Sequence, residues 1–306
     1  MSKAQVIVPA STTNLGPGFD VLGMALNLYN TFELETSNKL NIEIEGEGSD
    51  TLSRDESNLV YQSAKRLFDS IDEEIPPLSI RIINNIPLAR GLGSSGTAII
   101  GGLMTANAIA GDPLTIQQIL NLAAEMDGHP DNVSASMLGG VTIASFVEKD
   151  VAYMKLIPPK PLTVVVVVPD FHIITKEARK RLPQSVDLPT AVFNISRASL
   201  LVAALATGDF THFGISMDDK LHQPYRAELI PGIHDVFDSA RSVGNNVAVA
   251  ISGAGSALAA FCHDSDSQAV GESMKEAFLR HKVNSYVLIL DIDKEGARYG
   301  IEDYKI

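Results

Sequence analysis

One cysteine, Cys262, stands in a chain of 306 residues, so no disulfide can close within it. That scarcity fits a reducing, cytoplasmic setting. The seven histidines never fall at H-x-x-x-H spacing, which leaves a zinc site without support. Basic residues are the minority: 24 Lys plus Arg against 37 Asp plus Glu give a formal net charge of −13. Coating a nucleic-acid backbone or docking on anionic lipid needs clustered cations. No nucleic-acid and no membrane partner is therefore expected. A small anionic ligand needs only a local site and is not excluded. The segment Met1 to Gln5 leads straight into a strand-like run without a hydrophobic signal region. The longest aliphatic run, Leu162 to Val168, is far short of the ~18 residues of a membrane span.

What is present is ordinary globular material, 45% apolar and 20% charged. At about 150 residues per domain the length predicts two domains. Strands are expected at Val6–Val8, Thr31–Thr36, Leu40–Ile44 and Ser79–Ile86, where apolar residues alternate or β-branched residues cluster. Residues 55–71 read as a helix with Leu59, Ala64, Leu67, Phe68 and Ile71 near one face. A glycine-rich turn at 91–96 precedes a small-residue helix, 97–110. Thr115 is a good N-cap for a helix over 116–127. A loop at 128–132, a short helix and a strand at 141–147 follow. Pro158-Pro159-Lys160-Pro161 is the most linker-like segment and sets the expected domains at 1–159 and 160–306. The second half reads as a buried strand at 164–168, helices near 175–182, 189–207 and 232–243, a strand at 247–251, a helix near 266–281 and a strand near 285–291. The final strand and Val6–Val8 allow the C-terminal tail to pack back across that boundary. Strands and helices mix without strict alternation, which predicts α+β.

Gly91-Leu92-Gly93-Ser94-Ser95-Gly96 matches the dinucleotide fingerprint G-x-G-x-x-G literally. The strand before it alternates, no acid lies about 20 residues on, and the motif sits near residue 90, so that reading fails. A Walker loop fails too, because no Gly-Lys-Ser or Gly-Lys-Thr follows. Two readings remain: a tight turn with a serine cap, or a loop whose backbone N–H groups meet a phosphate at a helix N-terminus.

Three segments change the weight of these two readings. They are Pro9-Ala10-Ser11-Thr12-Thr13-Asn14-Leu15-Gly16-Pro17-Gly18-Phe19-Asp20, then Pro87-Leu88-Ala89-Arg90-Gly91-Leu92-Gly93-Ser94-Ser95, then Ser252-Gly253-Ala254-Gly255-Ser256-Ala257. Their order and spacing resemble the three motifs of the GHMP kinase superfamily, with Gly96 where many members have alanine. Gly128-His129-Pro130-Asp131-Asn132-Val133, Thr175-Lys176-Glu177-Ala178-Arg179 and Pro224-Tyr225-Arg226 are similar to the branch that phosphorylates L-homoserine. The resemblance runs from residue 6 to about residue 300. It implies an N-terminal α+β domain with an ATP-binding glycine-rich loop, a ferredoxin-like C-terminal domain, and ATP with Mg²⁺ in the cleft. Mevalonate- or sugar-type kinases of the same superfamily, or a non-catalytic nucleotide-binding homologue, are the alternatives. The only protein partner the resemblance allows for is a second copy, in a homodimer.

The resemblance also distributes roles. Pro87, Leu88, Ala89, Arg90, Gly91, Leu92, Gly93, Ser94, Ser95, Gly96 and Thr97 would surround the triphosphate. Asn58 falls where the family contacts adenosine, and equally reads as a helix-start residue. Glu125, with Ser94 or Ser95, would hold Mg²⁺; otherwise Glu125 is a boundary residue facing water. Arg179 and Arg226 match the positions that bind the amino-acid carboxylate. Asn14, Asp20 and Asp131 match those that meet its ammonium and hydroxyl, although Asp20 also reads as a turn residue and Asp131 as a cap for a helix from Asn132. Thr175 is either a hydroxyl near the transferred phosphoryl or the N-cap of the helix over 176–182. Asp131 acts as a general base or holds the substrate, and the absence of a neighbouring lysine favours holding, since phosphoryl transfer needs little deprotonation of the nucleophile.

Overall fold

The computed structural model describes residues 3–244 and 246–300, so Met1 and Ser2 of the N-terminal segment lie outside the described residues. The first half contains β1 (Lys3–Thr13), β2 (Leu22–Thr36), β3 (Asn41–Gly46), α1 (Leu59–Ser70), β4 (Leu78–Asn84), α2 (Ser94–Ile109), α3 (Ile116–Asp127), α4 (Pro130–Leu138), β5 (Val141–Val147) and β6 (Asp150–Leu156). The second contains β7 (Thr163–Pro169), α5 (Thr175–Lys180), α6 (Leu188–Thr207), α7 (Phe213–Ser216), α8 (Gln223–Ala227), α9 (Ile233–Arg241), β8 (Ala248–Ile251), β9 (Leu258–Cys262), α10 (Asp264–Arg280), β10 (Ser285–Asp291) and β11 (Arg298–Tyr299).

The first sheet runs β11-β1-β2-β4-β3, with β5 on β2 and β6 on β5. Among the described residues only β3 and β4 pair in parallel, and α1 makes the crossover between them. The inner residues of these strands, such as Val8, Phe32, Ile80 and Ile82, pack on α1, α2 and α3. Helix α2 is buried on nearly every side, which is why its sequence is small and apolar rather than amphipathic. The second sheet runs β10-β7-β9-β8, all antiparallel, with α9 and α10 on one face. That is the ferredoxin-like arrangement the sequence led us to expect.

β7 explains how the two halves join. Val165 and Val167 face α9 and α10, while Val164, Val166 and Val168 face a second core with Leu22, Met24 and Leu26 of β2 and Leu201 and Leu205 of α6. A strand buried on both faces must be apolar throughout, as this one is. The chain changes sheet between Leu156 and Thr163, and β11 returns to the first sheet by pairing Tyr299 with Val6. Helix α6 is long and apolar enough to cross a membrane by length and composition. It carries Arg197, and Leu201, Ala204 and Leu205 seat it in the core.

Five elements were not anticipated: β6, β9, α7, α8 and β11. Helix α2 begins at Ser94 rather than Thr97, so the two serines belong to its first turn. Thr115 caps α3 as expected, in a capping box with Gln118.

Candidate active site

The three glycine-bearing segments meet. Ser252 Oγ lies 2.7 Å from the Gly91 carbonyl and 2.9 Å from Thr12 Oγ1. The Gly253 N–H donates to the Thr13 carbonyl, and the Ser11 N–H to the Leu92 carbonyl. Two glycines of the middle segment are required by this contact. A Cβ at Gly91 would sit 1.9 Å from the Ser252 carbonyl oxygen, and one at Gly93 would sit 2.1 Å from Ser11 Oγ. Both residues also have positive φ, +77° and +72°.

Gly93 is the N-cap of α2 and supplies no side-chain hydrogen bond. The first-turn N–H groups therefore face outward with the positive end of a 16-residue helix behind them. They open into a cavity of about 320 Å³ lined by the turn from Ala89 to Gly96 with Pro87, and opposite it by Asp127, His129, Asn132, Thr175, Gly253 and Ala254. Arg90 is the one cation of the loop. Its Nε donates to the Pro169 carbonyl and its Nη2 to that of Asp170, which ties the loop to the end of β7. Beside it, the outward-facing N–H groups of α2 supply backbone dipoles that favour an anion.

Several expected contacts are not made. Leu88 lines a neighbouring groove with Glu47 and Tyr286 instead of this cavity. Thr97 is buried, its hydroxyl donating to the Ser94 carbonyl and accepting from Asn30. Asn58 caps α1, accepting from the Val60 N–H, and its amide donates to the Ser53 carbonyl, so both ends are used internally. The helix-start alternative is the one the structure displays.

Glu125 is a correction. Its carboxylate pairs with Arg66 at 2.9 Å and is 66% exposed, away from the cavity. Helix geometry is the reason. The buried stripe of α3 runs through Leu120, Ala123 and Ala124, and Asp127 continues it at three and four residues' spacing, whereas Glu125 falls on the opposite side. Asp127 is the acid that enters the cavity with Ser94 and Ser95. Burial, and then the charge of Asp131, push its pKa up to about 7, with Arg179 opposing.

Asp131 lies in the first turn of α4, 3% exposed. It does not cap a helix from Asn132, because α4 already starts at Pro130 with His129 as N-cap. Its Oδ1 accepts from the Asn132 N–H at 2.8 Å, and Thr13 donates to its carboxylate. Burial, reinforced by Asp20, nevertheless pushes its pKa up to about 6. His129 is held below its ordinary value by burial and by the charge of Arg179. Thr175 is the first residue of α5 rather than its cap, which is Ile174, so the N-cap alternative falls.

The amino-acid side of the site is a cluster around Phe19. Arg179 forms a two-pronged pair with Asp20, at 2.8 and 2.9 Å. The guanidiniums of Arg179 and Arg226 both stand 5.2 Å from the Phe19 ring. Arg226 is 1% exposed, with its Nη1 on the carbonyl of Gly253, a residue of the cavity lining. Burial and then the charge of Arg179 lower its pKa to about 10. Asn14 does not present a free amide. Its Nδ2 donates to the Gly253 carbonyl and its Oδ1 accepts from the Asp20 N–H, so it builds the loop that carries Asp20. Asn14, Leu15 and Asp20 all adopt positive φ there, strain of a kind that collects at functional sites.

Five residues lining the cavity were given no individual role: Asp127, His129, Asn132, Gly253 and Ala254. The helical period of α3 carried a signal for Asp127. Gly253 acts through its carbonyl, which takes hydrogen bonds from both Asn14 and Arg226, and no side-chain pattern reports that.

Two family matches cover just over half of the chain's length between them. The GHMP kinases N terminal domain matches residues 58–140, and the GHMP kinases C terminal domain matches residues 201–280. A homoserine kinase of Moorella thermoacetica is 45% identical over 292 residues, covering 95% of this chain and 98% of that protein. One of Carboxydothermus hydrogenoformans is 42% identical over 293 residues, covering 95% of each. Among solved structures, the homoserine kinase from Cytophaga hutchinsonii is similar over 98% of both chains, with a TM-score of 0.88 and 29% identity.

Proposed function

Because the chain belongs to the GHMP kinases, in the branch of the homoserine kinases, we propose that this cavity transfers the γ-phosphoryl of ATP to the hydroxyl of L-homoserine. The products are O-phospho-L-homoserine and ADP, a step of threonine biosynthesis. The bond from the γ-phosphorus to the ADP oxygen breaks, one to the homoserine oxygen forms, and the hydroxyl proton is released. The observation that carries the reading is the uncapped N-terminus of α2 opening on the same cavity as Asp127, Thr175 and the Asp131 turn.

The first-turn N–H groups of α2 hold the phosphates. Among the described residues no cluster of three or more His, Cys, Asp or Glu is placed to hold a metal. Mg²⁺ carried by a nucleotide needs only one or two protein oxygens, and Asp127 with the hydroxyl of Ser94 or Ser95 fits that need. When bound, Mg²⁺ neutralises charge on the transferring group. Asp127 then takes the role expected of Glu125.

On the acceptor side, Arg179 and Arg226 hold the carboxylate and Asp20 the ammonium. The Asp20–Arg179 pair is a preformed charge template for a zwitterion: the amino acid's carboxylate meets the cation while its ammonium meets the anion. Asp131, anchored by Asn132 and Thr13, accepts the hydrogen bond of the reacting hydroxyl and orients it; Thr175 stands beside the phosphoryl path. Catalysis is then positioning and charge neutralisation. The domain boundary lies at 159/160, a placement supported by the change of sheet after Leu156. The enzyme works in the cytoplasm, and its one protein partner is a second copy, in a homodimer.

ADP release measured with homoserine, mevalonate, galactose and shikimate tests the reading. Turnover with homoserine and none with the others is expected. No ADP with homoserine refutes it.

A further inference from the structure

Arg226 heads the fully buried side chains by volume, and a guanidinium so enclosed depends on the protein for its hydrogen bonds. Its Nη1 donates to the Gly253 carbonyl at 2.8 Å and lies 3.3 Å from Nδ1 of His222. Its Nε has no partner. His222 is itself fully buried, and its Nε2 is 2.7 Å from the Gly16 carbonyl. A carbonyl only accepts, so Nε2 carries the proton and Nδ1 keeps a lone pair for Arg226. The ring is stacked on Phe19 at 5.1 Å between centroids.

The turn that carries His222 is pinned in its turn. Asp219 accepts from the N–H groups of Leu221, His222 and Gln223, and Asn194 donates to it at 2.6 Å. This capping by a buried carboxylate starts the five-residue helix α8, on which Arg226 sits one turn after His222.

We propose that His222 is a positioning residue for Arg226. With Gly253 it occupies both hydrogens of Nη1, so that the Nε–Nη2 edge is the one left for the acceptor's carboxylate. That edge offers side-on, two-pronged binding, the geometry that makes arginine selective for carboxylates. The inference rests on Arg226 being a carboxylate-binding residue. The charged groups facing His222 are Asp219, Arg226 and Asp20; burial, opposed by Asp219, lowers its pKa to about 4, which keeps the ring neutral near pH 7.

Two variants separate the two nitrogens. His222→Gln keeps a donor where Nε2 stands and loses the acceptor at Nδ1; His222→Asn does the reverse. His222→Gln is expected to raise KM for homoserine roughly tenfold or more, with KM for ATP unchanged, and His222→Asn by only about a third of that or less. In an Arg226→Gln background His222→Gln should add nothing. A KM for ATP that rises with that for homoserine, or an effect that persists in the double variant, means a merely structural role and overturns the proposal. A wild-type KM for homoserine in Arg226→Gln alone overturns the assignment of Arg226 instead. A raised KM there, with wild-type values in His222→Gln, overturns only the role of His222. ¹⁵N spectra of histidine-labelled wild-type protein decide even where a variant does not fold: the Nε2–H form of His222 is required, and the Nδ1–H form refutes the proposal.

Discussion

Replacing Asp127 by asparagine removes the carboxylate that enters the cavity and keeps its size. In the metal-free protein that carboxylate is raised from its ordinary 3.8 to about 7, chiefly by burial. A raised pKa means that the folded protein holds the proton more tightly than the unfolded chain. The stability this contributes is complete below pH about 4 and is lost as pH rises through about 7. The difference corresponds to about 4 kcal/mol for an enclosed carboxylate, and to about 2 kcal/mol once its partial exposure is allowed for. Asp131, raised to about 6, adds a slope of the same sign, but it is present in both proteins and largely cancels in their difference. Urea unfolding in EDTA, from pH 4.5 to 8, measures the effect. The wild type should lose about 2 kcal/mol relative to Asp127→Asn across that range. The same variant should raise the Mg²⁺ needed for half-maximal rate roughly tenfold or more. Glu125→Gln, which removes only an exposed pair with Arg66, should cost less than about 1 kcal/mol and leave the Mg²⁺ requirement alone. Parallel stability curves for wild type and Asp127→Asn would refute the reasoning, and so would a Mg²⁺ effect in Glu125→Gln instead.

Gly91→Ala should cost about 2 kcal/mol or more in urea melts and weaken ATP binding, because its Cβ meets the Ser252 carbonyl and its φ is positive. Gly96→Ala has the opposite expectation. The atom nearest a Cβ there is 3.5 Å away, in Asn132, so the change should stabilise α2 by about 0.5–1 kcal/mol and leave KM for ATP unchanged. Asp131→Asn should raise KM for homoserine with kcat within about tenfold of wild type. A kcat loss beyond ~10³-fold at constant KM would show that Asp131 is a general base instead.

Much of this architecture is legible locally. The glycine-rich turn can be read because positive φ and close approach are demands on a single residue. The cap at Thr115 and the run Val164 to Val168 are legible for the same kind of reason: a hydrogen bond three residues away, and burial on two faces. The missed elements have weaker local patterns. β6 is an edge strand with Tyr153 and Met154 exposed, so its apolar residues do not mark one face. α8 is five residues long and depends on Asp219 and Asn194 from outside it.

The sequence by itself determined that a glycine turn and two serines stand at a helix start, because those are properties of adjacent residues; the choice of phosphate over a capped turn came from the resemblance to the GHMP kinases. It also determined that the 13 excess acids act against polymers of phosphate and not against one triphosphate. Only the tertiary structure decided which acid lines the cavity beside Ser94 and Ser95. Glu125 and Asp127 are two residues apart and chemically alike, and the choice depends on which face of α3 the rest of the fold buries. Only the tertiary structure, likewise, placed Arg226 beside Gly253 and Phe19. Gly253 and Phe19 come from other parts of the chain, and no local rule brings them to Arg226, whereas His222, four residues before it, is brought there by the turn of α8.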